Sequence, residues 1–249
     1  MFILSMSIGP VERGLPMALR FPEPGAGFWG DLNDAAREAL TTAGSLRRYA
    51  AGDSIMGEGA STDNVVILWR GFVKVHSRVA VGRQVILAVR GPGDILGEMA
   101  SVGGGRRCAT VTAIGRATGL AVDREPFGAL LMRDPHASMV VHRVLIARLL
   151  EADRIRLGSG STSVDQRLAG LLLDFTRRFG EPTAGGGQRI GLALSQKELA
   201  ACVGGSSRSV ARVMGVWRQR GIVATGRQWV VVNSPTDLHR IAGQTARPR

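Results

Sequence analysis

The sequence predicts an α+β protein in two parts, on three observations. Short β-branched runs broken by glycine fill residues 46 to 122, an uninterrupted stretch without Gly or Pro runs from His136 to Leu157, and positive charge concentrates beyond it. Residues 1–158 hold 19 Lys+Arg against 15 Asp+Glu, whereas residues 159–249 hold 13 against 5. Positive charge of this density attracts phosphates before any specific contact forms, so the second part is expected to meet a polyanion.

The first ten residues are apolar but lack a basic start, and the stretch to Gly27 is rich in Pro and Gly. Residues 1–28 are therefore expected to be a disordered leader and not a signal peptide. A short helix is expected from Asp31 to Ala43, with Asp31 as its cap. Next come "VVILWRGFVKVHS", "RQVILAVRGPGD" and "CATVTAIGRATGLAV", punctuated by Gly52, Gly59, Gly71, Gly82, Gly91 and Gly93. That spacing suits an antiparallel sandwich or barrel, and the alternation of Val73 and Val75 with Lys74 and His76 suits a strand with one wet face. Residues 29–134 form the expected β domain.

Residues 135–158 are expected to be one long helix. Leu145, Leu149 and Ala152, spaced four and three apart, make a dimer seam, and Ile146 and Leu150 make a second apolar row that covers the barrel. "GSGST", Gly158 to Thr162, is the expected hinge, ending that helix and opening a third domain over residues 159–240. There "SVDQRLAGLLLDFTRRFG" reads as an amphipathic helix with Asp165 near its start and Gly180 after its end, followed by a loop, "EPTAGGGQ". Residues 241–249 form a basic tail.

The stretch "LSQKELAACVGGSSRSVARVMGVWRQRGIV" carries the most specific local signals. Ser195 followed by Glu198 is a capping box that opens a short helix through Cys202. Gly204 and Gly205 supply a tight turn, and Ser206 or Ser207 caps a second helix to about Arg220. This is the outline of a helix-turn-helix, whose second helix enters the DNA major groove. Ser206, Ser207, Arg208 and Ser209 would face the groove, with Arg208 able to pair with guanine and Arg212 able to reach the backbone. Ser195 and Lys197, at the start of the first helix, are candidate DNA-binding residues. "GIVATGRQWVVV" adds two strands around a tip at Gly226 and Arg227, the outline of a wing, with Arg227 against a phosphate or minor groove. Cys202, Val203, Val210, Val213 and Trp217 are expected core.

In "GDILGEMASVGGGRRCATVTA", Gly93 to Ala113, three glycines would let backbone N–H groups converge on an anion, with Arg107 as a charged fork and Glu98 as acceptor for a sugar hydroxyl. A nucleotide with one phosphate and a free ribose hydroxyl fits these groups. The stretch is not a P-loop, since the GxxxxGK[ST] pattern is absent.

In order and spacing, the barrel glycines, "GDILGEMA", the Arg-x-Ala of "RCATVTA", the Asp-Pro before a long helix and the helix-turn-helix resemble the cyclic-AMP receptor (CRP/FNR) family of bacterial transcription regulators, over residues 30 to 233. The resemblance implies a cyclic-nucleotide-binding jelly-roll barrel, a long dimerisation helix and a winged helix-turn-helix. It places Glu98 at the ribose and Arg107 at the phosphate, with Gly97, Met99, Arg106, Cys108 and Ala109 around them. It brings Ala152 and Asp153 of the long helix to the base, where cyclic-AMP responders carry Thr-Ser. Cys108 stands where the family has Ser or Thr, and Ser207-Arg208 stand where the cyclic-AMP receptor has Arg-Glu, so a different target sequence is expected.

The expected protein is thus a homodimeric DNA-binding regulator of a pseudo-palindromic site. Cyclic AMP or cyclic GMP is its possible effector, no cofactor is required, and RNA polymerase is the partner implied by the family. The alternative is a dimeric DNA-binding protein whose barrel no longer senses a nucleotide. No catalytic constellation is visible, so enzyme activity is not expected. Cys108 and Cys202 form neither a disulfide framework nor a CxxC cluster, which fits a reducing cytoplasm. His76, His136, His142 and His239 do not cluster, so no metal site is expected. No run of 18 uncharged apolar residues suggests a membrane span.

Overall fold

The computed structural model describes residues 27–78, 84–226 and 229–243. It divides into two compact units, one built from the chain up to His76 with Val89–Arg148, the other from Ser77–Ala88 and the chain from Leu149 onward. The first unit opens with α1 (Phe28–Asp31) and α2 (Asp34–Ala43). These replace the single helix expected from Asp31. Leu32 is extended, and Asn33, not Asp31, caps α2 by accepting from the Ala36 N–H at 2.8 Å. Phe28 is only 2% exposed, so its ring belongs to the core and the expected leader cannot reach residue 28. The leader's first 26 residues lie outside the described residues.

The β domain follows as β1 (Ser45–Tyr49), β2 (Ser54–Met56), β3 (Val65–Arg70), β4 (Val73–Arg78), β5 (Gln84–Arg90), β6 (Ile95–Leu96), β7 (Thr110–Ala113) and β8 (Ala117–Val122), with α3 (Glu98–Gly103) between β6 and β7. The strands form two four-stranded sheets, β1-β8-β3-β6 and β2-β7-β4-β5. The pairs β1–β8, β3–β8, β3–β6, β2–β7 and β4–β7 are antiparallel. β3 explains the continuous apolar run "VVILW". Alternate side chains point to opposite faces. Val65 and Ile67 pack with Phe28, Trp29, Leu40 and Phe127, whereas Val66 and Leu68 pack with Met56, Val73, Leu96 and Val111. Both faces of this strand are covered. β4 departs from the expected alternation, because His76 is buried and its Nε2 lies 2.9 Å from the Thr112 hydroxyl, a polar partner that makes burial tolerable.

After β8 come α4 (Arg124–Arg133) and α5 (Pro135–Ser161). Asp134 caps α5. One carboxylate oxygen accepts from the N–H groups of His136 and Ala137 at 2.8 and 3.1 Å, and the other from Asn33 Nδ2 at 2.9 Å. The Asn33 bond first, then the Ala137 amide, hold this carboxyl below its ordinary range. Core packing sets the phase of the helix. Ala137, Val140 and Val141 are buried in the core that faces β3, and Val144 and Leu145 continue the same row. Leu145 therefore turns toward the barrel, and the expected seam of Leu145, Leu149 and Ala152 loses its first member. Ile146 and Leu150, expected to cover the barrel, are 57% and 48% exposed, while Leu149 is 61% exposed. The error is one residue, or about 100° of rotation.

The expected hinge is also corrected. α5 continues through Gly158–Ser161, and the break comes at Ser163, which caps α6 (Val164–Phe179) in a capping box with Gln166. Glycine in a helix costs only about 1 kcal/mol, so a long helix passes through it until a stronger start signal intervenes. The second unit continues as β9 (Gly180–Pro182), β10 (Gln188–Ile190), α7 (Gln196–Val203), α8 (Ser207–Gln219), β11 (Val223–Gly226), β12 (Trp229–Val232) and α9 (Pro235–Ile241). "EPTAGGGQ" is not a plain loop: its ends pair as β9 and β10, which join the wing strands in the sheet β11-β12-β10-β9. Among the described residues no helix is long and apolar enough to cross a membrane.

Candidate functional site

The barrel site grows from a turn and a short helix. Gly97 adopts φ +80°, the left-handed region that glycine alone enters freely, and so aims Glu98 inward as the first residue of α3. A Cβ at Gly97 would lie 2.2 Å from Arg107 Nη1 and 2.8 Å from the Met56 methyl, so both side chains would have to shift, and the guanidinium resists because its hydrogen bonds hold it in place. Glu98 is 1% exposed. Its Oε1 accepts from Arg148 Nη1, and Arg148 Nη2 donates to the Ile95 carbonyl. Glu98 Oε2 has no hydrogen-bond partner among the described residues.

Arg107 is 4% exposed, and its guanidinium is held from several sides. Nε donates to the Thr62 hydroxyl at 3.1 Å, Nη1 to the Gly97 carbonyl at 3.0 Å, and Nη2 to the carbonyl and side-chain oxygens of Asn64 at 2.6 and 2.9 Å. Four of its five N–H bonds are thereby occupied by protein. Burial pulls this guanidinium below its ordinary pKa, with Asp63, Glu98 and Cys108 acting the other way. Arg106 donates to the Gly59 carbonyl at 2.9 Å, and the Gly59 and Ala60 backbone pairs with that of Arg107, which pins the arginine pair to the loop after β2. Cys108 is exposed, with Sγ 3.8 Å from Met99 Sδ, and Ala109 is buried.

The three glycines do not present three open amides. Gly103 ends α3, and Gly104, at φ +69°, donates its N–H to the Ala100 carbonyl. The structure thus brings Gly97, Glu98 and Arg107 together with Arg148, a residue the sequence reading missed. Its signal was present: Ala137, Val141, Val144 and Arg148 are spaced four, three and four apart, which puts a cation in the barrel-facing row of α5. Farther along α5, Ala152 is exposed, and Asp153 Oδ1 accepts from Arg156 at 3.2 Å.

The second candidate site lies in the other unit. Ser195 and Glu198 form the expected capping box at the start of α7, so the Ser195 hydroxyl is engaged, while Lys197 is exposed. Gly204 closes α7 at φ +61°. Arg167 of α6 donates from Nε to the Val203 carbonyl at 2.7 Å and so fixes the turn from behind; it too went unread in the sequence. Of the two serines offered as caps, Ser206 takes the role by accepting from the Ser209 N–H at 3.0 Å, and its hydroxyl lies 2.8 Å from that of Ser209. Val210, Met214 and Trp217 form the buried face of α8. Val203 is buried as expected, while Cys202 and Val213 are only half-buried. Ser206, Ser207, Arg208 and Arg212 stay exposed at the first two turns. Arg227 lies outside the described residues.

Comparison with known proteins bears on both units. Residues 46–134 match the cyclic nucleotide-binding domain family, and residues 166–241 match the Crp-like helix-turn-helix domain family. The chain is 29% identical over 217 residues to the CRP-like cAMP-activated global transcriptional regulator of Mycobacterium tuberculosis, covering 87% of this chain and 96% of that protein. It is 29% identical over 196 residues to the cyclic AMP receptor protein of Thermus thermophilus, covering 79% and 87%. The structure of FixK2 from Bradyrhizobium japonicum matches with a TM-score of 0.72 at 22% identity, covering 82% of this chain and 99% of that one, a likeness of fold.

A cyclic-nucleotide-binding barrel and a helix-turn-helix unit on one chain define a DNA-binding transcription regulator. In both domains and in their order the chain is similar to the CRP/FNR family of these regulators.

Proposed function

We propose that this protein is a cytoplasmic, homodimeric regulator that reads a pseudo-palindromic DNA site with α8 and holds a cyclic nucleotide, cyclic AMP or cyclic GMP, in its barrel. The observation that carries the DNA reading is the division of α8. Its buried face anchors the helix, and its exposed first turns offer Ser207, Arg208 and Arg212 to a duplex. Ser206 and Ser209 keep the helix start in shape, and Lys197 adds a phosphate contact. The exposed Met139, Ile146, Leu149 and Leu150 of α5 supply the dimer seam, and RNA polymerase is the protein partner. The Mycobacterium tuberculosis relative is a transcriptional regulator, which supports a regulatory and not an enzymatic role.

For the effector, Glu98 accepts the ribose hydroxyl through Oε2, which has no partner among the described residues, Arg107 faces the phosphate, and Gly97, Met99, Arg106, Cys108 and Ala109 shape the surround. A ligand changes the regulator only if it prefers one arrangement over another. Here the moving part is Arg148, which a nucleotide must share with or displace from Glu98, and which lies on the helix that runs from one unit into the other. A second reading, DNA binding without an effector, is favoured by the internal bonds that already occupy Arg107.

Selection of duplexes from a random pool, followed by binding assays on Arg208→Ala, tests the DNA reading. Loss of the guanidinium is expected to relax preference at one position in each half-site by about 1–3 kcal/mol while leaving random DNA nearly unaffected. Equal weakening on selected and random duplexes would remove Arg208 from base recognition.

A further inference from the structure

The α3 helix buries a second polar group beside Glu98. Ser101 is 5% exposed, and its hydroxyl, like Glu98 Oε2, has no hydrogen-bond partner among the described residues. A serine inside a helix ordinarily returns its hydroxyl to the carbonyl four residues back. That carbonyl belongs to Gly97, and it already accepts from the Ser101 N–H at 3.1 Å and from Arg107 Nη1 at 3.0 Å. A carbonyl oxygen has two lone pairs, so the usual partner is saturated. Glu98 and Ser101 are three residues apart on α3, which puts them on one face with Cβ atoms about 5–6 Å apart.

We infer that Ser101 is a recognition residue of the barrel site, which grips a ligand hydroxyl jointly with Glu98. This deepens the effector reading and rests on it. An ionised carboxylate oxygen only accepts, whereas a serine hydroxyl donates and accepts. A hydroxyl between them donates to Glu98 Oε2 and accepts from Ser101, so one group satisfies both buried atoms. A phosphate oxygen would be repelled by Glu98, and an ammonium group could not accept from Ser101. The chemistry selects a sugar hydroxyl, and in a 3′,5′-cyclic nucleotide the 2′-hydroxyl is the one left free. Ser101 therefore sets discrimination between ribo- and 2′-deoxyribo-nucleotides, a task Glu98 alone would perform less sharply.

Calorimetry on the full-length protein with cyclic AMP and with 2′-deoxy cyclic AMP, for wild type and Ser101→Ala, tests this. The variant is expected to bind cyclic AMP about tenfold more weakly, the worth of one well-placed hydrogen bond, and to bind the deoxy nucleotide as wild type does. Its unliganded melting temperature is expected to be no lower than that of wild type, because the hydroxyl removed has no partner among the described residues. Equal loss for the two nucleotides, or no loss, overturns the inference and leaves the effector reading standing. So does a lowered melting temperature, which would mean that Ser101 bonds within the protein. If wild type binds neither nucleotide at millimolar concentration, the effector reading fails first and the role of Ser101 falls with it.

Discussion

Gly97→Ala is expected to destabilise the barrel by about 3 kcal/mol, one of the largest effects available from a single added methyl group. Two costs add. The left-handed backbone at φ +80° carries about 1–2 kcal/mol for a residue with a Cβ. The Cβ would also stand 2.2 Å from Arg107 Nη1, so the guanidinium must shift and weaken its bonds to Thr62, Asn64 and the Gly97 carbonyl. Each such bond is worth about 1 kcal/mol net, and leaving buried acceptors unmet costs more. Gly103→Ala is the matched control: it lies in the same helix, and nothing among the described residues stands within 4 Å of its Cβ. Urea denaturation of the two variants should separate them, with Gly103→Ala within about 0.5 kcal/mol of wild type. A cost below 1 kcal/mol at Gly97 would contradict the packing described around Arg107.

Arg148→Met is expected to cost about 3 kcal/mol, at the lower end of what breaking a buried ion pair costs. The side chain of Arg148 is 15% exposed and that of Glu98 only 1%, so the variant leaves a charge that water cannot reach. The expense lies in the orphaned carboxylate more than in the lost attraction. Removing both charges in Arg148→Met/Glu98→Leu should therefore recover most of the loss. A double-mutant cycle built from the four proteins, followed by urea denaturation, should give a coupling energy of about 2 kcal/mol or more. Additive losses would show that the two side chains do not depend on each other.

The helix-turn-helix was legible because its signals are local. The Ser195-Glu198 capping box, the glycine turn and the serine start of α8 each act over three or four residues, and each formed as its chemistry requires. The sheet strands were legible too, since β-branched runs between glycines have few alternatives. What sequence could not show was which face of β3 meets which neighbour, because an apolar residue on either face reads the same. α1 and α3, of four and six residues, are too short for periodicity to reveal. α3 in particular depends on the left-handed Gly97.

The barrel site was half legible. Glu98 and Arg107 stand out as charges among small residues, and the structure brings both to Gly97. The third charge was hidden by the misphased rows on α5. Placing Leu145 on an outward seam and Ile146 and Leu150 on the barrel turned Arg148 away from Glu98, and the true phase is set by packing of Ala137, Val140 and Val141 against residues distant in the chain, such as Phe28, Leu40 and Ile67. Ser101 gave no signal at all, because a serine in a glycine-rich stretch is unremarkable until the carbonyl it would normally bond is known to be full.

The central claim is that one chain couples a nucleotide in the barrel to a DNA sequence read by α8. The affinity of the purified protein for its selected duplex, measured at one fixed salt concentration with and without saturating cyclic AMP or cyclic GMP, tests it most directly, since salt alone shifts protein–DNA affinity strongly. The account predicts that one of the two nucleotides changes affinity for the selected duplex by about tenfold, within the usual range for coupled sites, and leaves random DNA unchanged. The same affinity for the selected duplex with and without either nucleotide would contradict it, and would favour the reading in which Arg107 and Arg148 serve the barrel alone.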